Sequence, residues 1–151
     1  MAVTIRQATP ADAPVIVDFN LRMAQETEDK GLDPEVLAAG VRAALADPVK
    51  AVYYVAEENG VILGQASYTR EWSDWRNGWL WWLQSVYVLP QARRRGIFRA
   101  LYDHIYQAAR RDPEVIGLRL YVERANQVAQ QTYLGLGMAW APYLILQRSP
   151  L

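Results

Sequence analysis

The chain has 151 residues, the length of one ordinary domain, so we expect a single domain spanning 1–151. Sixteen basic side chains balance sixteen acidic ones, which argues against general attraction to nucleic acid or an anionic membrane. With no cysteine and one histidine, the sequence excludes disulfides and a thiol nucleophile and makes a protein-only metal site a poor expectation.

The N-terminal region lacks the features of a secretory signal. Its first thirty residues carry several acidic side chains, among them Asp12, Asp18 and Glu26, in place of a basic start and an uninterrupted apolar core. No apolar run in the sequence approaches the length of a membrane span. We therefore expect a cytoplasmic protein without a membrane partner.

The first third of the chain predicts a strand followed by two helices. VTIRQA, residues 3 to 8, alternates like a half-buried strand. Thr9 and Pro10 then supply a helix cap and a favoured first helical residue. Asp33 and Pro34 repeat that start signal for the second helix.

The middle of the chain predicts a hairpin, a long strand and a third helix. Two strand-like runs within residues 51–70 meet at Asn59-Gly60, a pair that tolerates the positive φ angles of a tight turn. A strand over residues 79–88 follows. The apolar side chains of the next helix recur at helical spacing from Ile97 onwards.

The last third predicts a strand at 117–123, a short helix stopped by Gly137, and a final strand at 138–147. This order of elements indicates a mixed α/β sheet with helices on both faces. A right-handed crossover should make the strands at 79–88 and 117–122 parallel neighbours.

The stretch RRRGIF, residues 93–98, lies where the 79–88 strand gives way to a helix. A helix start exposes unpaired N–H groups with partial positive charge, and glycine lets an anion approach the main chain. Phosphate groups fit best, with Arg93, Arg94, Arg95 or Arg99 adding charge nearby. The motif is neither a Walker P-loop nor a Rossmann fingerprint. The alternative is a solvated basic face at a helix end, and phosphates of RNA or DNA are a third interpretation that the neutral overall charge disfavours.

Two motifs together resemble the GCN5-related N-acetyltransferase (GNAT) superfamily. RRRGIF resembles its Q/R-x-x-G-x-G/A segment, with Phe98 at the position of the second small residue. NQVAQQTYLGLGM resembles N-x-x-A-x-x-x-Y-x-x-x-G-F/M, with Asn126, Ala129 and Tyr133 in register. The resemblance covers nearly the whole chain and extends to a bacterial subgroup through EWSDWRNGWLWWLQSVYV.

The resemblance implies a GNAT fold: a mixed, mostly antiparallel sheet of six to seven strands whose parallel fourth and fifth strands splay apart. It also implies acetyl-CoA as cosubstrate, with the pantetheine arm bonding to strand backbone and the pyrophosphate at the helix start. The implied cofactor-binding residues are Val86, Tyr87, Val88, Arg93, Arg94, Arg95, Gly96, Ile97, Phe98 and Asn126.

The implied reaction is direct attack of a primary amine on the thioester in a ternary complex. Tyr133 corresponds to the family's tyrosine, which protonates the departing thiolate, and the alternative for it is a core aromatic. For Asn126, a helix-capping role is compatible with cofactor binding. Many relatives carry an acidic residue in the fourth strand, whereas this chain has Gln84 and Ser85. Glu71 and Glu123 remain as candidate bases acting through water, each with the alternative of an ordinary surface carboxylate.

A tryptophan-rich segment precedes and enters the fourth strand. Alternation predicts that Trp79 and Trp81 share one sheet face and that Trp82 points to the other. Trp72 and Trp75 lie in a turn-like segment, where they could pack, wall an acceptor pocket, stack on an amine or form a homodimer contact. The acidic cluster in AQETEDKG, between the first two helices, could form a second pocket rim or a solvated loop.

These observations favour an acetyl-CoA-dependent N-acetyltransferase acting on a small-molecule amine. Two alternatives stay open: acetylation of a protein lysine or N-terminus, and a catalytically silent CoA-binding sensor. Turnover separates a sensor from an enzyme, because a sensor binds the cofactor without releasing CoA.

Overall fold

The computed structural model describes residues 2–151 and contains five strands and four α-helices over that range. The elements in chain order are β1 (Thr4–Gln7), α1 (Ala13–Glu28), α2 (Pro34–Ala46), β2 (Val52–Glu58), β3 (Val61–Ser73), β4 (Gly78–Val88), α3 (Ile97–Arg111), β5 (Val115–Leu120) and α4 (Gln127–Gly135). The chain divides into two compact units, the first ending at Tyr121 and the second running from Val122 to Leu151.

The first unit is built on one five-stranded sheet in the order β1-β2-β3-β4-β5. The three pairings from β1 to β4 are antiparallel, and β4 pairs with β5 in parallel. The mixed, mostly antiparallel sheet and its parallel fourth and fifth strands are therefore confirmed. β5 ends at Leu120 rather than at 123, because its ladder with β4 ends there.

The turn between β2 and β3 forms where the sequence predicts it. Asn59 and Gly60 both have positive φ angles, 52° and 78°. Two successive positive φ angles give a turn whose twist matches that of the flanking strands. The prediction of a hairpin hinged on this pair is confirmed.

Helices cover both faces of the sheet, and two neighbouring tyrosines in β2 show it. Tyr53 belongs to a buried cluster with Ile16 of α1 and Val41 of α2. The next residue, Tyr54, points to the opposite face, where its ring lies 4.8 Å from that of His104 in α3. Burial there lowers the pKa of His104, since the charged imidazolium is poorly solvated.

The N-terminal helix boundaries follow local capping chemistry. Residues 10–12 form a 3₁₀ turn instead of the predicted first turn of α1, and Asp12 accepts the backbone N–H of Thr9 at 2.7 Å. At α2, the side chain of Asp33 accepts N–H groups of the first helical turn, which confirms the predicted cap.

The second unit contains α4 and the residues that follow it. Asn126 caps α4 by accepting the N–H of Ala129 at 3.1 Å, so its predicted capping role is confirmed. Gly137 follows the helix with a φ of 97°, the left-handed conformation that ends many helices.

The predicted final strand at 138–147 is wrong. No residue from 136 to 151 belongs to a strand or helix, and residues 139–151 are all exposed. The segment has strand-forming residue types, but a strand exists only with a hydrogen-bonded neighbour, and Pro142 cannot donate to one. The sheet accordingly has five strands within residues 2–151 instead of six to seven.

Among residues 2–151, no helix combines the length and the apolar run that crossing a bilayer requires.

Candidate functional site

The ladder between β4 and β5 stops halfway along β4. Pairing runs from Trp79↔Val115 to Leu83↔Leu120, whereas β4 continues to Val88. Within residues 2–151, Gln84, Tyr87 and Val88 pair with β3, and no residue from 84 to 88 pairs with β5. Backbone groups on the other side remain available to a ligand.

Ser85 lies at a bulge in this open part of β4. The register between β3 and β4 shifts between Gln65 and Ser67, and Ser85 has a φ of 51°. Serine in the left-handed region is strained by about 1–2 kcal/mol, so its surroundings must hold it there.

Three side chains from the neighbouring strands hold the bulge. Gln65 Nε2 donates to the Ser85 carbonyl at 2.9 Å, and Ser67 Oγ donates to the Gln84 carbonyl at 3.0 Å. Tyr53 Oη donates to Ser85 Oγ at 3.4 Å. Sequence reasoning missed these residues, although two polar residues inside the apolar run LGQAS of a buried strand were a usable signal.

Bonds at the end of β4 show which way its amides point. The N–H of Leu89 donates to the Leu63 carbonyl on β3, while the Val88 carbonyl accepts from Arg93 Nε at 3.0 Å. Because successive residues of a strand face opposite edges, the amides of Val86 and Val88 face the open edge. Tyr87, the third predicted residue of this group, pairs with Gln65, and its buried ring packs on Phe19.

The start of α3 has the geometry expected of an anion site. Gly96 is the N-cap residue with a φ of 80°, and because it has no side chain it makes no capping bond to the amides of the first turn. A Cβ at Gly96 would meet no atom within 4 Å, so there is room for a side chain. Glycine is favoured here because of the positive φ angle. Ile97 is buried in the core, and Phe98 lies in the first turn with its ring 6.4 Å from that of Tyr102.

Three of the four nearby arginines pair with carboxylates. Arg93 bonds to Glu26 at 3.2 Å, Arg95 to Glu58 at 2.6 Å, and Arg99 to Asp103 at 3.3 Å. The hydrogen bond from Arg95 lowers the pKa of Glu58.

Arg94 differs from these neighbours. It has a φ of 65° and, within residues 2–151, forms no ion pair. Its guanidinium is therefore the cation at this junction that an incoming anion can engage without displacing a carboxylate.

A cavity of about 290 Å³ lies on the face of the sheet covered by α1 and α2. Its apolar wall comes from the two helices and the chain between them, while polar groups come from helix and strand residues. The lining residues are Asn20, Met23, Ala24, Glu28, Lys30, Leu32, Leu37, Gly40, Val41, Tyr53 and Ser85. The bulge residue Ser85 thus lies on both the open end of β4 and the cavity wall.

The predicted acidic cluster contributes to this region in two ways. Glu26 and Glu28 belong to the last turn of α1 and not to a loop between helices, because the helix continues to Glu28. Glu28 lines the cavity, whereas Glu26 pairs with Arg93.

The two candidate bases are already engaged in the structure. Glu71 Oε1 accepts from Trp82 Nε1 at 2.9 Å and from Arg119 at 3.1 Å. Glu123, in the second unit, accepts the N–H of Ala125 at 2.7 Å. Tyr133 lies half-buried in α4, in the same unit as Asn126 and Glu123.

The tryptophans divide between the two sheet faces as predicted. Trp81 is buried and stacks on Tyr68 with ring centroids 3.8 Å apart, and Trp79 pairs with Trp72 across the ladder on that face. Trp82 lies on the other face, 4.5 Å from the ring of Tyr121. Trp75, at the tip of the hairpin, is 89% exposed.

Comparison with known proteins places this geometry in a family. Residues 18–138 match the model of the acetyltransferase (GNAT) family. A crystal structure of a possible acetyltransferase from Clostridium difficile 630 is similar over 100% of this chain and 99% of its own, with 41% identity and a TM-score of 0.94. No curated protein sequence gives a match.

More distant structures share the fold. A predicted acetyltransferase from Clostridium acetobutylicum, solved with acetyl-CoA, is 19% identical over 97% of this chain and 96% of its own, with a TM-score of 0.80. A ribosomal-protein-alanine N-acetyltransferase from Brucella melitensis biovar Abortus 2308 is 19% identical over 97% of this chain and 100% of its own, with a TM-score of 0.75. The family match and the 41% identical structure together establish that the chain belongs to the acetyltransferase (GNAT) family, whose acetyl donor is acetyl-CoA.

Proposed function

We propose that the protein is an N-acetyltransferase that transfers the acetyl group of acetyl-CoA to a primary amine of a small molecule, by direct attack in a ternary complex. The observation that carries the proposal is the open end of β4, where unpaired strand backbone meets both an uncapped helix start and a cavity of small-molecule size. Residues 1–151 act as one domain in this proposal.

The chain's own groups fit the cofactor. The amides of Val86 and Val88 would bind the pantetheine arm and the thioester carbonyl, because they face the edge that β5 leaves open. The first-turn amides of α3 and the Arg94 guanidinium would bind the pyrophosphate. Arg93 and Arg95 would add charge after exchanging their carboxylate partners, and Asn126 would position the start of α4.

The acceptor would occupy the cavity between α1, α2 and the sheet. Its wall is largely aliphatic, and its polar side chains are those of Asn20, Glu28, Lys30, Tyr53 and Ser85. A small amine with an apolar body fits this lining, since the Glu28 carboxylate and the hydroxyl oxygens can accept hydrogen bonds from the amine and the aliphatic wall covers the carbon skeleton.

Bound acetyl-CoA supplies a thioester carbonyl carbon for the amine to attack. The amide groups of Val86 and Val88 would donate to the carbonyl oxygen. The Tyr133 hydroxyl would give its proton to the departing sulfur. Glu71 and Glu123 are the proposed bases, each accepting the ammonium proton through water, and Glu71 must then share its Oε1 with Trp82 and Arg119.

The first test is turnover measured by release of free thiol. The chain has no cysteine, so a thiol reagent gives no background from the protein. Purified protein with acetyl-CoA and a panel of small primary amines should release CoA in proportion to acetylated product. Calorimetric binding of acetyl-CoA without turnover on any amine or on lysine peptides would indicate a sensor, and absence of binding would refute the proposal.

The acceptor site can be tested apart from the cofactor site. Gly40 lines the cavity, and a Cβ there meets no atom within 4 Å, so Gly40→Leu should fill the cavity without harming α2. We expect the KM for the amine to rise about tenfold with unchanged acetyl-CoA affinity. Ala39→Leu, one residue away and outside the cavity lining, is the matched control. If both variants had the same KM for the amine, the acceptor would have to bind outside this cavity.

The acid role of Tyr133 is tested by Tyr133→Phe. Loss of the hydroxyl should lower kcat by about 10²-fold while leaving acetyl-CoA affinity nearly unchanged, because general acid catalysis contributes on that order. A variant with normal kcat would exclude the role. Glu71→Gln and Glu123→Gln should be compared in parallel. Only the variant that lacks the true base should lose the fall in kcat/KM that protonation of the base causes at low pH.

A further inference from the structure

The cavity between α1, α2 and the sheet has two ends of different character. Glu28 and Lys30 are exposed, and we call their end the mouth. Asn20 and Tyr53 are buried and Ser85 is half-buried, and we call their end the floor. The other side chains of the lining are apolar: Met23, Ala24, Leu32, Leu37 and Val41. A ligand in the cavity therefore meets charged groups at one end and uncharged polar groups at the other.

The two charges at the mouth have opposite signs but do not neutralise each other. Within residues 2–151, neither Glu28 nor Lys30 forms an ion pair. The neighbouring carboxylate of Glu26, by contrast, pairs with Arg93 at 3.2 Å. Two unpaired charges of opposite sign at one opening are complementary to a ligand that carries both signs.

The position of Glu28 is electrostatically unfavourable without a bound cation. It is the last residue of α1, where the carbonyl groups carry partial negative charge, and the last turn of this helix contains no basic side chain. Lys30 lies beyond the helix end and does not pair with Glu28. An ammonium group at Glu28 would offset the repulsion and leave Lys30 for a carboxylate. The head group of an amino acid carries both of these groups on one carbon atom.

The floor offers hydrogen-bond acceptors but no charged side chain. Asn20 Nδ2 donates to the Ile16 carbonyl at 3.0 Å, while Asn20 Oδ1 accepts only a long bond of 3.5 Å from Gln65. Tyr53 Oη and Ser85 Oγ are 3.4 Å apart, which is also long. Such bonds are weak, so these oxygens can accept N–H groups of a ligand. An amine at the floor is favoured in its neutral, nucleophilic form, because a buried site without a carboxylate solvates an ammonium group poorly.

From these features, and resting on the acetyltransferase function proposed above, we propose that the acceptor is a diamino acid, an amino acid whose aliphatic side chain ends in a second primary amine. Its α-ammonium group pairs with Glu28 and its α-carboxylate with Lys30. The methylene groups lie on the apolar wall, and the terminal amine reaches Ser85 at the open end of β4. The cavity volume of about 290 Å³ is at the lower end of the range for small-molecule sites, which suits a ligand of amino-acid size.

The reaction at the floor needs no further reactant. The terminal nitrogen forms the new amide bond to the acetyl carbon as the thioester C–S bond breaks. One proton of the amine is lost and the departing sulfur gains one, so the products are the side-chain amide and free CoA. The α-amino group stays unmodified, because it is held at the mouth as an ammonium ion.

Substrate analogues test the head group. Lysine, cadaverine and ε-aminocaproic acid carry the same terminal amine on chains of equal length, but cadaverine lacks the carboxylate and ε-aminocaproic acid lacks the α-amino group. We expect kcat/KM to be at least tenfold lower for each analogue than for lysine, with acetylation of lysine at its side-chain nitrogen. Ornithine, putrescine and δ-aminovaleric acid form the equivalent set with a shorter chain. An analogue that reacts as well as the amino acid in both sets, or acetylation at the α-nitrogen, would overturn the proposal.

Charge variants assign the two groups of the head. Glu28→Gln and Lys30→Gln should each raise the KM for lysine about tenfold, since each removes one charge-assisted bond. The effect of Glu28→Gln should shrink to less than twofold with ε-aminocaproic acid, and that of Lys30→Gln with cadaverine. Glu35→Gln and Arg42→Gln are the matched controls, because both residues are exposed in α2 and lie outside the cavity lining. Effects of equal size on lysine and on the analogues would contradict the assignment.

Two further outcomes separate this inference from the function on which it rests. Acetyl transfer to simple amines without preference for either amino acid would refute the diamino acid and leave the acetyltransferase function intact. Absence of transfer to any amine would refute that function, and the binding of lysine, measured by NMR titration with CoA present, then decides the inference. The two mouth variants, but not the two controls, should weaken this binding about tenfold. Binding that is absent, or that the mouth variants leave unchanged, would overturn the proposal.

Discussion

The two halves of β4 are one strand with two different surroundings. Residues 79–83 are paired on both sides, to β3 and to β5, and include Trp81, which is buried against Tyr68. Residues 84–88 adjoin β3, have no pairing partner in β5 and contain the bulge at Ser85. The first half stabilises the sheet, whereas the second half leaves backbone groups free for a ligand.

The difference shows how one strand can serve both stability and binding. Open backbone groups and a strained serine cost free energy, which bonds from side chains must offset. Gln65 and Ser67 provide those bonds from β3, the strand that continues past the opening. The bulge is thus maintained by residues that need not touch a ligand.

The largest effect is expected in the doubly paired half. Trp81→Ala should lower the free energy of unfolding by about 3–5 kcal/mol, because it removes a buried aromatic side chain and its stacking partner for Tyr68. Urea denaturation measures the change. Trp75→Ala, at an 89% exposed position of the adjacent turn, should stay within about 0.5 kcal/mol of wild type. Similar losses in both variants would contradict the stacked core.

The next effect concerns the support of the open half. Gln65→Leu removes the donor to the Ser85 carbonyl from a fully buried position, so we expect a loss of about 1–3 kcal/mol in stability. If the bulge positions the acetyl-transfer site, kcat should also fall about tenfold. A variant with reduced stability but full kcat at a temperature where it stays folded would show that the bulge has no role in the reaction.

Ser85 itself gives a comparison at a single position. Valine is strongly disfavoured at a positive φ, so Ser85→Val should cost about 1–2 kcal/mol. Ser85→Gly relieves the strain at some entropic cost and should change stability by less than about 1 kcal/mol. Thermal denaturation of the pair tests the geometry, and a valine variant as stable as the glycine variant would mean that the residue does not hold this φ in solution.

At the adjoining helix start, the arginines should differ in their contributions. Arg94→Gln should weaken acetyl-CoA binding about tenfold, because it removes a cation whose charge no carboxylate balances. Arg99→Gln loses an exposed pair with Asp103 and should change affinity less than twofold. Titration calorimetry compares the two, and equal effects would remove the distinction between them.

The smallest effect lies far along the sheet from the open half, at the β1 edge. Hydrogen bonds from Arg6 lower the pKa of Asp12 from its ordinary value of 3.8. The resulting stabilisation is complete above that ordinary value and is lost as the pH falls through the lowered one. Asp12→Asn should therefore flatten the dependence of stability on pH below about pH 4, without changing acetyl-CoA affinity at pH 7. If the stability of Asp12→Asn fell at acidic pH as steeply as that of the wild type, the bonds between Arg6 and Asp12 would not be the source of this pH dependence.

Much of this fold can be predicted from sequence because its signals are local. Asn59-Gly60 determines a turn, Asp33 a cap, and Gly96 a helix start, each through the conformation or bonding of a few residues. The parallel pairing of β4 and β5 follows from the handedness of a single crossover.

The parts that sequence did not reveal depend on contacts between distant residues. Gln65 and Ser85 are twenty positions apart, and no local pattern indicates that the side-chain amide of Gln65 donates to the Ser85 carbonyl. The pairing of Arg93 and Arg95 with Glu26 and Glu58 is equally non-local. The prediction of a final strand at 138–147 is wrong for the opposite reason. The local pattern there is that of a strand, but a strand needs a hydrogen-bonded partner, which the pattern does not specify.

The carboxylates that pair with Arg93, Arg95 and Arg99 also govern the kinetics of encounter. Because they balance three guanidinium groups, an approaching polyanion meets a junction with little more than one uncompensated positive charge. Electrostatic steering raises association rates above about 10⁶ M⁻¹s⁻¹ only where a larger field persists. The association rate of acetyl-CoA should consequently vary little with ionic strength. The affinity of the junction for the cofactor is then determined mainly by the dissociation rate.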